Sequence, residues 1–233
     1  MGLLNEWLDY LEQWVGRGAY VYSAQGQRAN EVGNVKAWIE RKSKSRETAK
    51  RAWSFYQQLT EELEPSEVRF FDCSGLAMWF FQDLKRVTKS DASANGLWRG
   101  CTALKKSALK PGDFTFIDTD GRKTHVGYVA RNGQVVEARA SGYGVEMLPL
   151  NARPWTHFGR SKWLKSEIES EAPLPDVPAD AKRTVEEWQK ILLLWDPNCL
   201  PTFGADGKYG DETDAALRAM IEDAEAFRRA NGR

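Results

Sequence analysis

Apolar residues at Leu4, Trp7, Leu8, Leu11, Trp14 and Val15 recur at three- and four-residue spacing. That spacing predicts an amphipathic helix over 3–15, stopped by Gly16 and Gly18. The run Ala19-Tyr20-Val21-Tyr22 reads as a short strand. Residues 27–66 are charged and largely helical, with Ala49, Ala52, Trp53, Tyr56, Leu59 and Leu63 on one face and Pro65 ending the segment. This stretch is either a helix pair packed on the body of the protein or a mobile lid over a site. A polar cluster, Asp72-Cys73-Ser74-Gly75, then opens a segment apolar nearly all round, Leu76 to Phe81 with Leu84 and Val87, which predicts a buried helix. Lys89 to Lys110 reads as loop. From the turn signal Pro111-Gly112-Asp113 the pattern changes to strands over 113–117, 125–130, 134–139 and 145–150. Asn132-Gly133 marks a hairpin between the second and third of these. A helix followed by an antiparallel meander is an α+β arrangement.

Residues 166–180 are acidic and carry three prolines, the composition of an extended linker. Beyond them Thr184-x-x-Glu187 is a capping box leading into the stripe Val185, Trp188, Leu192 and Trp195. A glycine-punctuated loop over 204–210 follows. Asp211 then caps a last helix with Leu217, Met220, Ile221 and Ala224 on one face. The chain therefore divides into a domain over 1–165 with a helical insertion at about 27–66, a linker over 166–180, and a small three-helix unit over 181–233.

Charge and composition narrow the function. The 33 basic and 33 acidic residues balance, which argues against general binding to nucleic acid or to an anionic membrane. The three cysteines form no C-x-x-C pair and only two histidines are present, so neither a zinc site nor a disulfide framework is expected. No apolar run reaches membrane-spanning length. The first residues lack the basic and apolar regions of a signal peptide, and Glu6 stands where myristoylation needs Ser or Thr. The expectation is a soluble protein made in the cytoplasm without a signal peptide. Cys73 falls in the first turn of the predicted buried helix. There the helix dipole and free N–H groups favour a thiolate nucleophile, the alternative being a buried structural cysteine.

Five motifs in order resemble the NlpC/P60 family of cell-wall cysteine peptidases, whose fold is a reduced papain-like one. They are Ala19-Tyr20-Val21-Tyr22, Asp72-Cys73-Ser74-Gly75, Leu109-Lys110-Pro111-Gly112-Asp113, His125-Val126-Gly127-Tyr128-Val129 and Val136-Glu137-Ala138. Residues 183–221 resemble a three-helix peptidoglycan-binding domain through Trp188-Gln189, Asp206-Gly207-Lys208-Tyr209-Gly210 and Thr213-x-x-Ala216-Leu217. The first resemblance implies Cys73 as nucleophile, His125 as general base and Glu137 as the third group that orients the ring. It also implies Tyr20, Asp72 and Ser74 as substrate-binding residues. A carboxylate at Glu137 would favour a thiolate–imidazolium pair, and the Cys73 N–H is a candidate oxyanion donor. Asp72 equally suits a helix cap, and Tyr20 a core aromatic. His157, Cys101 and Cys199 match no catalytic motif and read as structural.

Side chains alternate along a strand, so the hairpin register decides what Glu137 can do. A two-residue Asn132-Gly133 turn pairs Val129 with Val136 and turns Glu137 away from the His125 face. A three-residue loop centred on Gly133 sets Glu137 opposite Val129, too far along the strand. One centred on Asn132 sets it opposite Gly127, in diagonal reach of His125.

The implied function is a two-domain hydrolase of bacterial peptidoglycan, needing neither metal nor organic cofactor. The first domain cuts the stem-peptide bond between D-glutamate and a diamino acid, and the second holds the wall. An endolysin-like release to the wall fits this layout. The alternatives are an N-acetylmuramoyl-L-alanine amidase and a catalytically inactive wall-binding phage module.

Overall fold

Helix α1 (Leu3–Trp14) buries Leu4, Trp7, Leu8, Tyr10, Leu11 and Trp14, the face its spacing predicts. The computed structural model that shows this describes residues 2–170 and scattered positions between 189 and 219. Two units divide at Glu171 and Ala172. In the first, Trp7 is fully buried, with the rings of Phe81 and Tyr128 at 4.8 and 5.1 Å. Those two rings come from the central helix and the main sheet, so α1 is bound to both through one side chain.

The next elements are β1 (Gly18–Tyr20), β2 (Gln25–Arg28), α2 (Val35–Lys42), α3 (Arg46–Leu59) and β3 (Arg69–Phe71). β3 lies between β1, parallel to it, and β2, antiparallel. The stretch expected to be helical from residue 27 thus starts as a strand. Helix propensity there yields to pairing with β3. Side-chain alternation splits β3 between two cores. Phe70 faces the α2–α3 layer, with Trp38 and Tyr56 at 5.0 and 5.6 Å. Phe71 faces the main core, 5.5 Å from Trp14. The 27–66 insertion is therefore a packed layer with its own apolar cluster, which includes Ile39, Ala52 and Val68.

Helix α4 (Cys73–Met78) runs on as a π-helix over Trp79–Leu84. The wider turn changes the phase of the side chains. Phe80 and Phe81 are both buried, whereas Leu84 and Val87 emerge at 50% and 41% exposure. The all-round burial expected of this segment stops at Phe81 for that reason.

Residues 89–110, expected as loop, contain α5 (Ala94–Arg99) and β4 (Cys101–Leu104). β4 is an edge strand with exposed Thr102 and Ala103, so it lacks the alternation that marks a strand. After it come β5 (Phe114–Thr119), β6 (Arg122–Val129), β7 (Val135–Ala138), β8 (Val145–Leu148) and β9 (His157–Ser161). The six-stranded antiparallel sheet has the order β4-β9-β5-β6-β7-β8. β9 was not expected either. Gly159 in its middle sits so close to Cys101 and Trp98 that a Cβ would lie 2.7 Å from the Cys101 Cβ.

Asp113, fully buried, is gripped by Arg160 of β9 in two parallel hydrogen bonds of 2.9 Å. Burial raises the Asp113 carboxyl, and those bonds oppose the rise. Beside it, Gly112 has φ +89 and leaves room for Leu4, whose Cδ1 would sit 2.4 Å from an added Cβ.

The segment expected to begin the linker at residue 166 instead closes the first unit. Helix α6 (Lys165–Ser170) fully buries Ile168. Its Glu167 accepts the Leu3 and Leu4 N–H groups at 3.1 and 3.0 Å, capping α1. One apolar anchor and one capping carboxylate do this, and an average over acidic residues hides both. In the second unit Leu192, Leu200 and Ala216 form a small buried cluster, and Gln189 donates to Thr213 Oγ1 at 3.0 Å. Most of the expected linker and three-helix domain lies outside the described residues, including Val185, Trp188, Trp195 and the loop over 204–210.

Candidate active site

Asp72 ends β3 and caps α4. Its Oδ1 accepts the Gly75 N–H at 2.6 Å and the Ser74 hydroxyl at 3.0 Å, and its Oδ2 accepts the Ser23 N–H at 3.0 Å. Burial raises its carboxyl despite these bonds. The capping alternative is thus realised, and the Ser74 hydroxyl proton goes to it, leaving the oxygen as an acceptor. Gly75 is required here, since a Cβ would lie 2.0 Å from the Ala24 carbonyl oxygen.

Cys73 follows, 8% exposed. The Tyr128 hydroxyl donates to its carbonyl at 2.7 Å, and the Tyr10 hydroxyl donates to Leu76 O at 2.8 Å. β6 and α1 thereby fix the position of α4 from two sides. The β6–β7 ladder covers only Tyr128 and Val129, which leaves the His125–Val126 end of β6 open on that side. There the Val126 N–H meets the Cys73 thiol. Burial and then the Asp72 charge push that thiol up to about 12, against the pull of the Val126, Ser74 and Cys73 N–H groups. The N–H groups at the helix start pull the thiol down as expected, but desolvation outweighs the few that one short helix offers.

His125 Nε2 lies 2.5 Å from Glu137 Oε2. Tyr128 pairs with Val136, which sets Glu137 opposite Gly127. This is the register of the loop centred on Asn132, closed by the Gly133 N–H to Ala130 O at 3.0 Å with Gly133 at φ +77. The bare face of Gly127 is filled by Trp155, whose ring would be 2.8 Å from an added Cβ. Trp155 also stacks on His125, with centroids 5.8 Å apart and planes at 12°. Glu137 is fully buried, and its other oxygen, Oε1, is 3.1 Å from Arg153 Nε, an ion pair without hydrogen-bond alignment. Arg153 and Trp155 escaped the sequence reading. They come from the connection between β8 and β9, where no periodicity or motif marks them.

Tyr20 ends β1 opposite Phe71, one residue before Asp72. Its phenol is raised by burial and by the Cys73 and Asp72 charges, which puts it in their company. His157 is elsewhere, on β9, with its Nδ1 3.0 Å from Thr156 Oγ1 and its ring edge to Trp98. Cys101 donates to Leu97 O at 3.3 Å. Among the described residues no three His, Cys, Asp or Glu side chains gather as a metal site would require. Nor is any described helix long and apolar enough to cross a membrane.

A cysteine at a helix start thus lies against the Val126 N–H of an antiparallel sheet, one residue along the strand from a histidine held by a buried carboxylate. This is an α+β domain. Residues 61–162 match the NlpC/P60 family. The match includes Cys73, His125 and Glu137 and begins after Tyr20 and most of the α2–α3 layer. The chain is 33% identical over 89 residues to the murein DD-endopeptidase MepH of Escherichia coli (strain K12), covering 36% of this chain and 32% of that protein. It is 32% identical over 88 residues to the probable endopeptidase p60 of Listeria innocua serovar 6a (strain ATCC BAA-680 / CLIP 11262), covering 38% and 18%. It therefore spans less than a third of each relative's length. The solved structure of NlpC2 from Trichomonas vaginalis is 19% identical with a TM-score of 0.44, covering 68% of this chain and 46% of that one.

Proposed function

We propose that this protein is a peptidoglycan hydrolase, a cysteine endopeptidase that cuts the stem-peptide amide bond between D-glutamate and the following diamino acid. Cys73 is the nucleophile, His125 the general base, and Glu137 the group that orients the ring. The observation that carries this reading is the His125–Glu137 pair at 2.5 Å, next to the Val126 N–H that meets the Cys73 thiol. The family match supports a peptidase, and the printed activity of MepH supports an endopeptidase of this polymer without favouring this bond.

The mechanism starts from a neutral thiol. The sulfur attacks the carbonyl carbon as its proton passes to His125, through Nδ1, since Nε2 is held by Glu137. The S–C bond forms and the carbonyl electrons move to oxygen, toward the Cys73 N–H. Collapse breaks the C–N bond, and the amine leaves with the proton from the imidazolium. Water then attacks the thioester carbon while losing a proton to His125; the C–O bond forms, the S–C bond breaks, and the departing sulfur takes the proton back from the ring. Glu137 faces the charge the ring acquires, and Arg153 beside it keeps that carboxylate paired. Tyr20, Asp72 and Ser74 belong to the substrate-binding wall, and the second unit to wall binding.

The MepH resemblance favours a second reading, cleavage of a D,D peptide bond in the same polymer. Digestion of purified wall followed by mass spectrometry tests both. A new diamino-acid α-amine supports the first reading. Conversion of cross-linked dimers to monomers with intact stems supports the second. Release of L-alanine-headed peptides would mean an amidase, and no release by active protein would overturn the hydrolase reading.

A further inference from the structure

The α2–α3 layer has no part in the chemistry above, yet it walls a cleft that begins at Tyr20, whose phenol feels the Cys73 and Asp72 charges. The cleft, about 450 Å³, runs from Tyr20 to the turn between α2 and α3 on one side. On the other side lies the β7–β8 connection, residues 140–143, which follows the strand carrying Glu137. Its charged lining residues are Lys44 and Arg51, and no carboxylate lines it. Neither cation is in an ion pair with another described residue. Lys44 Nζ rests over the Tyr22 ring at 4.0 Å. The Arg51 stem lies along Gly142, where an added Cβ would sit 3.5 Å from the Arg51 Cβ, so the two walls are in van der Waals reach of each other. Tyr22 and Tyr143 stand exposed at 43% and 50%. Two cations without an ion-pair partner among the described residues, set between flat aromatic walls, suit a negatively charged, extended ligand.

We propose that this cleft is an anion subsite of the substrate groove, in which Lys44 and Arg51 receive a free carboxylate of the peptide being cut. The proposal rests on the peptidase reading and extends it. The substrate is an acidic peptide whose carboxylates are not amidated, and the inserted layer is what selects it. Because both cations are exposed, the selection weakens with salt.

The test compares a synthetic stem peptide bearing free carboxylates with the same peptide amidated at those positions. The proteins are the full chain and its K44Q/R51Q variant. For two exposed cations we expect the variant to raise KM for the free acid about five- to tenfold, with kcat within about twofold. The amidated peptide should lose little, and wild type should prefer the free acid by a similar factor at low salt. An equal loss on both peptides, or no change on either, overturns the subsite. If wild type cuts neither peptide, the peptidase reading fails separately. Equilibrium binding of the two peptides to Cys73→Ala, with and without K44Q/R51Q, still decides the cleft. Binding that ignores both carboxylates and cations would overturn it, and tighter binding of the free acid that K44Q/R51Q removes would support it.

Discussion

The Cys73 thiol sets the sharpest expectation, because its environment points away from a resting thiolate. An ordinary thiol at 9.0 is about 1% ionised at pH 7, whereas one at about 12 is about 0.001% ionised, a thousandfold less. The sign follows from burial, which disfavours the charged form. Alkylation by iodoacetamide, read by mass spectrometry on the peptide containing Cys73, should therefore speed up about tenfold per pH unit from pH 7 to 10. Absolute rate also reflects access to a site 8% exposed, so the slope decides the matter. Cys101, likewise pushed up to about 12 by burial, is an internal comparison, and denaturant should bring both to the ordinary rate. Fast alkylation that is flat between pH 5 and 8 and disappears in His125→Ala would refute the reasoning. It would mean a thiolate–imidazolium pair already formed in the free protein.

Glu137→Gln should retain more kcat than Glu137→Ala, since an amide still bonds the His125 ring. Arg153→Lys should keep a pH–rate profile close to wild type while Arg153→Leu shifts it, which a merely structural residue would not do. Gly127→Ala would set a Cβ 2.6 Å from Val135 Cγ1 and 2.8 Å from the Trp155 ring. It should cost about 1–3 kcal/mol in denaturant unfolding and lower kcat by moving Trp155 off His125. Arg160→Leu leaves the Asp113 carboxylate buried without its partner and should cost about 3–5 kcal/mol, with unfolding at neutral pH as the measurement. Unchanged midpoints would show that water or another group satisfies Asp113.

Helix α1, the Cys73 helix and the strands β5 to β8 were legible because each carries a strong apolar period or an unambiguous turn. The hairpin shows where such reading stops. Asn132-Gly133 marks the turn but allows several registers, and what selects among them is long-range. Trp155, far along the chain from both Cys73 and the hairpin, fills the bare face of Gly127 in the register that brings Glu137 to His125. Elements β4 and β9 were hidden because an edge strand need not alternate and a strand packed under a tryptophan can use glycine. The balance at the thiol was hidden for a related reason. Its position at a helix start is written in the sequence, but its depth below the surface is a property of the whole packed unit.

The division of β3 bears on how such a chain could have arisen. Phe70 and Phe71 are neighbours, yet each is a keystone of a different core. The helical layer is therefore no detachable ornament. Excising it would strip the cover from Phe70, Val68, Ala19 and Val21 together, on the strands that deliver Asp72 and Cys73. A compact ancestor without the layer would need a polar outer face on that small sheet, and acquiring the layer would require those positions to turn apolar at the same time. Grafting this segment onto a relative should accordingly fail unless the host strand is rewritten with it.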